Sequence, residues 1–372
     1  MSEALMALPG VRQVATFGLR SDRDSPIAIP HDICGRFLDA VSGQQLTGFA
    51  VSATEAGGIR LPRQQVDALL ERHREQMILA LRLERALLVV SEGFQAADID
   101  LVVLKGPALA RAAYPEPSWR PFADLDLLVQ TRDWVLAGQI LDRCGFTRAL
   151  PEPRRGFDQR FGKAAVFMDS SGLEVDLHRT LVLGPYGLWM DPDELFRRTA
   201  AFQVGGVNLR RLDDTALLIH ACVHASLGWS PPFLLPLRDV AQVVGSRLVD
   251  WLAFEELMER WRLRAVARHA FRSVGAILDI PLPARAEAFA QRELSRRDRR
   301  VLESYGTDRR ARGGTAVSSL RAIRGIRGKA AYIRALLFPS RDFLDRRAVG
   351  RGSYWRRWLI PVRWVTRSGR RG

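Results

Sequence analysis

The chain has 372 residues, with 56 Lys+Arg against 41 Asp+Glu for a formal net charge of +15, and 47% of its residues are apolar; this excludes disorder throughout, and the length predicts two or three units each able to bury a core. Three widely spaced cysteines, Cys34, Cys144 and Cys222, exclude a disulfide framework and a Cys-x-x-Cys metal site and fit a reducing compartment. No apolar run reaches the roughly 18 residues needed to cross a bilayer and the N-terminus lacks a basic region followed by an apolar stretch, so a cytoplasmic location is expected.

Residues 1–62 read as a partly helical N-terminal extension, broken by Pro26, Pro30, Gly43, Gly48 and the Gly57-Gly58 pair. From Pro62, apolar residues recur at three- and four-residue steps (Val66, Leu69, Leu70, Met77, Leu81, Leu87, Leu88, with His73 on the stripe), which predicts a long amphipathic helix to about residue 96. The run Ile99 to Leu104 is short and β-branched and reads as a buried strand, ended by Lys105-Gly106-Pro107, which starts a helix through Ala113. Pro115, Pro117 and Pro121 impose a loop, Asp124 to Val129 is a second strand, and Thr131 is the expected cap of a helix from Asp133 to Cys144. Lys163–Met168 and Leu173–Leu177, joined by Asp169-Ser170-Ser171-Gly172, read as a hairpin.

Asp191-Pro192-Asp193-Glu194 has the form of a capped helix start, and a second hairpin is centred on Gly205-Gly206. After Asp213-Asp214 nearly every segment has helical period, with breaks expected at Pro231-Pro232, Pro281-Leu282-Pro283 and Gly313-Gly314. The fold class is therefore α+β: a small mixed sheet flanked by helices over residues 63–212, then an all-α domain over 213–340. Residues 285–372 hold 24 Lys+Arg against 7 Asp+Glu, so the basic character belongs to the C-terminal end. The tail 341–372 interleaves Tyr354, Trp355, Trp358 and Trp364 with arginines. That composition suits an anionic membrane surface, which would place the protein at the periphery of the inner membrane, or RNA; a solvated arm docked on the chain's own helices is the other reading.

On a strand, side chains two apart share a face, so Asp124 and Asp126 project together. Like charges this close resist joint ionisation unless a cation sits between them, and a magnesium ion, which prefers carboxylate and phosphate oxygens, would relieve the cost. GLEVDLHRTL alternates again and puts Glu174, Asp176 and His178 on one face, so a neighbouring strand can present Asp176 to the pair. Lys105 and Gly106 stand where a strand becomes a helix, a place that attracts phosphate; Pro107 removes one donor, so much of that contact falls to the Lys105 ammonium. Arg120, four residues before Asp124, is a candidate for another phosphate oxygen. His220 and His224 have the spacing of a zinc pair, but their apolar neighbours favour packing where helices meet the sheet, and Trp229, Trp251 and Trp261 read as core.

The order LKGPALARAAYPEPSWRPFADLDLLV, Cys144-Gly145-Phe146, EVDLHRTL, LDDTALLIHACVHASLGWSPPFLLPLRDVAQV and DWLAFEEL resembles the bacterial nucleotidyltransferase family often labelled uncharacterised, a branch of the polymerase-beta-like minimal nucleotidyltransferase superfamily. The resemblance covers roughly residues 63–340. It implies that Asp124 and Asp126 are paired ligands of two magnesium ions, that Asp176 bridges one ion and accepts the acceptor hydroxyl's proton, and that Lys105-Gly106 forms the nucleotide phosphate loop. Superfamily members commonly carry Gly-Ser there, closer to the acidic pair; here it is Lys-Gly. His178 would orient Asp176 or a phosphate. The activity so implied is transfer of a nucleoside monophosphate from an NTP to a hydroxyl acceptor with pyrophosphate release. The alternative is a non-catalytic nucleotide-binding scaffold of the same fold, docking through its helical domain and basic tail.

Overall fold

The computed structural model describes residues 8–19, 25–227, 233–245, 248–305 and 309–346; the aromatic residues of the basic tail, Trp229 and the Pro231-Pro232 break lie outside them. A two-residue parallel pair, β1 (Ile27–Ala28) and β2 (Ile59–Arg60), ties the N-terminal segment together. The helices between them include Cys34–Gly43 and Thr47–Glu55. The long helix α1 (Arg63–Ala96) has the expected bounds, but its buried stripe is Leu69, Ala80, Leu83, Leu87, Val90 and Phe94, while Leu70 and Leu81 are exposed. From Leu83 onward the stripe is set where the helix lies on the sheet, whereas Leu69 belongs to the core shared with the N-terminal segment.

Seven strands form one sheet: β3 (Leu101–Val103), β4 (Asp124–Val129), β5 (Thr147–Arg148), β6 (Ala164–Met168), β7 (Glu174–His178), β8 (Thr199–Val204) and β9 (Val207–Leu212), in the spatial order β5-β6-β7-β4-β3-β9-β8. It is mixed: β4 runs parallel to β7 and antiparallel to β3, and β9 runs parallel to β3. The expected hairpins are present as β6–β7 and β8–β9, and Asp191 caps the helix Pro192–Arg197 through the N–H of Asp193. Two local expectations fail. Thr131 opens a short 3-10 turn, Thr131–Asp133, and caps nothing; the turn itself leads into α3 (Trp134–Arg143), following α2 (Pro107–Ala113) in the chain. Gly313-Gly314 does not break the chain, because the helix Arg309–Ala322 runs through it, and a Cβ at Gly314 would stand only 3.2 Å from Ser304. The glycine there serves close packing.

The alternation of β4 and β7 divides the chemistry. Leu125, Leu127, Val129, Val175 and Leu177 point to one face and pack with Leu83, Leu87, Val90 and Phe94 of α1. The opposite face carries the acidic residues and is met by the helices that follow β9, chiefly α4 (Asp214–Leu227) and α5 (Leu234–Val244). Val102, Leu104 and Leu128 on that face share a core with Leu217 and Leu218 of α4 and with Val11, Phe37 and Phe49 of the N-terminal segment. Gly48 makes the last contact possible: any Cβ there would fall against the backbone carbonyls of Ser118 and Trp119, in the loop that feeds β4.

Candidate functional site

Parallel pairing of β4 and β7 sets Asp124 opposite Glu174, Asp126 opposite Asp176 and Leu128 opposite His178. The register brings the three aspartates of the sequence motifs onto one face of adjacent strands and adds Glu174, which the sequence reading placed on that face without giving it a role. Ligand atoms of Asp124, Glu174 and Asp176 all lie within 4.8 Å of one another, and the same holds for Asp126, Asp176 and His178.

These groups are unequal. Asp126 is 2% exposed and both of its oxygens are engaged, Oδ2 with Lys105 Nζ at 2.9 Å and Oδ1 with His178 Nε2 at 2.8 Å. The lysine approaches off the direction of a well-formed hydrogen bond, yet at that distance in a buried site the ion pair is the controlling interaction. Burial opposes ionisation of Asp126, but the Lys105 ammonium and the His178 hydrogen bond outweigh it and hold the carboxyl well below the usual range. Asp124 is pushed up, by burial first and then by Asp126; Asp176 and Glu174 are raised likewise, burial leading. Asp176 Oδ1 is buried without a hydrogen-bond partner. A raised, partly buried set of oxygen donors with one orphaned oxygen fits a hard divalent cation such as magnesium.

Three sequence expectations change in the structure. His178 does not orient Asp176, whose Oδ2 is 3.9 Å away; its Nδ1 faces the Thr180 carbonyl at 3.1 Å and its Nε2 faces Asp126, leaving no ring nitrogen for a phosphate. Lys105 points at Asp126, so its ammonium serves the carboxylate before any phosphate. Arg120 is 3% exposed and gives both arms of its guanidinium to Asp239 on α5, Nε and Nη2 each at 2.9 Å. Tyr114 donates to the same carboxylate at 2.6 Å. The loop carrying Arg120 turns toward the helices, and a buried acid there takes the fork.

A cavity of about 940 Å³ is lined by Lys105, the partner of Asp126, but by none of Asp124, Asp126, Glu174 and Asp176 themselves. Val166, opposite Asp176 in the register, lines it together with Lys105 and Lys163 from the sheet and His220 and His224 from α4. The two histidines thus pack where α4 meets the sheet, as their apolar neighbours suggested, but they also face this space. His220 is 3% exposed. Burial, reinforced by the nearby Lys105 ammonium, holds it well below the ordinary histidine range. The folded protein therefore binds fewer protons here than the unfolded chain, and the associated stability, complete above the unfolded value of about 6.5, is lost as the pH falls below it by up to about 1.4 kcal/mol per unit. Urea denaturation between pH 7.5 and 5 checks this: His220→Phe should flatten the slope relative to the parent protein.

The comparisons with known proteins bear on this geometry. No curated protein matches the sequence. The crystal structure of an antigenic nucleotidyltransferase-like protein from Paracoccidioides brasiliensis is similar over 56% of this chain and 95% of that one, with 14% identity and a TM-score of 0.32. The profile of a family described as uncharacterised nucleotidyltransferase matches residues 34–279, a span that holds every acidic residue of the site and α4. The chain belongs to that uncharacterised nucleotidyltransferase family.

Proposed function

We propose that the protein moves a nucleoside monophosphate from an NTP to an acceptor hydroxyl and releases pyrophosphate, using magnesium. The observation that supports this most directly is the convergence of Asp124, Glu174 and Asp176 within 4.8 Å on one sheet face, with Oδ1 of Asp176 buried and unpartnered. Asp124, Glu174 and Asp176 would hold one ion, and Asp176 with Asp126 a second, Asp126 offering Oδ2, which has the Lys105 ammonium nearby but no formed hydrogen bond. Bound there, magnesium supplies neutralisation of the phosphate charge as the reaction proceeds.

The chain's own residues carry the rest. The acceptor oxygen forms its bond to the α-phosphorus as the bond to the bridging oxygen breaks, and pyrophosphate leaves with that electron pair. Asp176, whose affinity for a proton is raised by burial, takes the proton of the attacking hydroxyl. Lys105 and His178 hold Asp126 ionised and in one orientation, so the site is shaped before substrate arrives. The adjoining apolar surface of Leu181 and Val182 limits water.

The test is direct. The full-length protein is incubated with each α-labelled NTP, magnesium and a cell extract, and the molecule that acquires label is isolated. Magnesium-dependent labelling with pyrophosphate release is the expected result; NTP binding without release under every condition would instead favour the scaffold reading.

A further inference from the structure

We infer that the outward face of the helix Ile326–Leu337 is a docking surface for an anionic lipid bilayer, on which aliphatic side chains enter the interface and flanking cations meet the headgroup phosphates. The helix lies outside the span matched by the family profile, and the inference is independent of the transfer reaction.

Ile326, Ile333 and Leu337 are 86%, 40% and 41% exposed. Their steps of seven and four residues put them in one line along a helix of 3.6 residues per turn, with exposed Ala330 between them. Large aliphatic side chains scattered singly over a surface are ordinary, whereas several aligned on one face mark a contact. The helix is not free to turn that line inward, because its other side is committed. Tyr332 is buried, stacks on Phe157 with ring centroids 5.8 Å apart and meets Phe161 edge-on, and Ala335 is buried too.

The charge around the line identifies the partner. At 100° per residue Arg327 and Arg334 fall on one side of it and Lys329 on the other, all of them exposed. Residues 309–341 hold nine cations and no acidic residue, and Arg321, Arg324, Arg327, Lys329 and Arg334 form no ion pair with a described residue. An apolar line bordered by unpaired cations is the pattern of a helix lying in the plane of a bilayer, its aliphatic side at the acyl boundary and its cations among the phosphates. RNA would match the cations but leave the two isoleucines and the leucine unused, since it is bound by stacking and hydrogen bonding. A second copy of this chain would set the same cations against one another. The sequence that follows adds Tyr354, Trp355, Trp358 and Trp364 among arginines, ring types that favour the headgroup level.

Co-sedimentation of the full-length protein with vesicles tests this. Vesicles of phosphatidylcholine with about one-third phosphatidylglycerol should bind it and release it as salt rises, while phosphatidylcholine alone should not bind it. The combined change Ile326→Ser, Ile333→Ser and Leu337→Ser should lower the affinity about tenfold or more. The melting temperature should hold, because the three side chains are exposed. Arg327→Gln with Lys329→Gln and Arg334→Gln should lower the affinity comparably and flatten its salt dependence. No binding to the anionic vesicles, equal binding to the neutral ones, or undiminished binding by the folded serine variant overturns the inference. Self-association of the parent that the serine substitutions abolish would also overturn it, since the line is then an interface between copies, as would binding of single-stranded RNA without binding of vesicles.

Discussion

Asp124→Asn and Asp176→Asn are each expected to lower magnesium-dependent NTP turnover on the order of a hundred- to a thousandfold, the scale of losing one preorganised electrostatic element of a transition state. The reason is the geometry of the acidic face, where these two side chains and Glu174 present oxygens to one point and Asp176 Oδ1 has no other partner. A second measurement separates this from damage to the fold. Without metal these carboxylates are disfavoured as anions, by burial first and by their acidic neighbours next, so neutralising one should leave the melting temperature unchanged or higher. With magnesium present the order should reverse, because a ligand at about 100 times its Kd adds roughly 2.7 kcal/mol to the folded state and the variants forgo that gain. Asp126→Asn should behave oppositely and lose stability without metal, since it strips the Lys105 ammonium of its counter-charge. Turnover by a well-folded Asp124→Asn equal to that of the parent would remove the metal assignment.

Asp239→Ala should cost about 3–5 kcal/mol of folding free energy, read by urea denaturation, because it leaves a buried guanidinium uncompensated. Asp239 and Arg120 are 1% and 3% exposed, and the same carboxylate also accepts from Tyr114. Beside them Arg238, with no exposure at all, donates to the carbonyls of Ala15 and Phe17 and lies 4.9 Å over the Phe49 ring. This buried group joins α5, the N-terminal segment and the loop that delivers Asp124 to its strand. Arg120→Met combined with Asp239→Leu should recover most of the loss, because apolar replacement of both partners avoids the stranded charge. A cost under about 1 kcal/mol for the single change would mean that packing around Phe49 and Trp119, not the ion pair, holds the loop.

Much of the fold was legible because it is local. The bounds of α1, the whole of β4, both hairpins and the capped start at Asp191 follow from periodicity, turn residues and side-chain caps, which act over a few positions. Errors came where distant parts decide. Leu70 and Leu81 fit a helical stripe yet are exposed, because the sheet meets α1 along Leu83, Leu87, Val90 and Phe94. Gly313-Gly314 has the form of a break, but a close approach of Ser304 accounts for the missing Cβ. Arg120 stood at a suggestive distance from Asp124; nothing local revealed that Asp239, more than a hundred residues away, would claim it.

The same division runs through the site. Alternation alone put Asp124 with Asp126 and Glu174 with Asp176 and His178, because a pleated strand sends every second side chain to one face. Glu174 was available from that pattern as a further oxygen ligand. Whether β7 lies next to β4, in which register, and which cation or histidine then reaches which carboxylate are properties of long-range pairing. The residues and their faces were thus written in the order of the chain. The inequality between an ion-paired Asp126 and an open Asp124, Glu174 and Asp176 arose only when strands remote in sequence were laid side by side, since burial and ion pairing depend on what surrounds a charge in space.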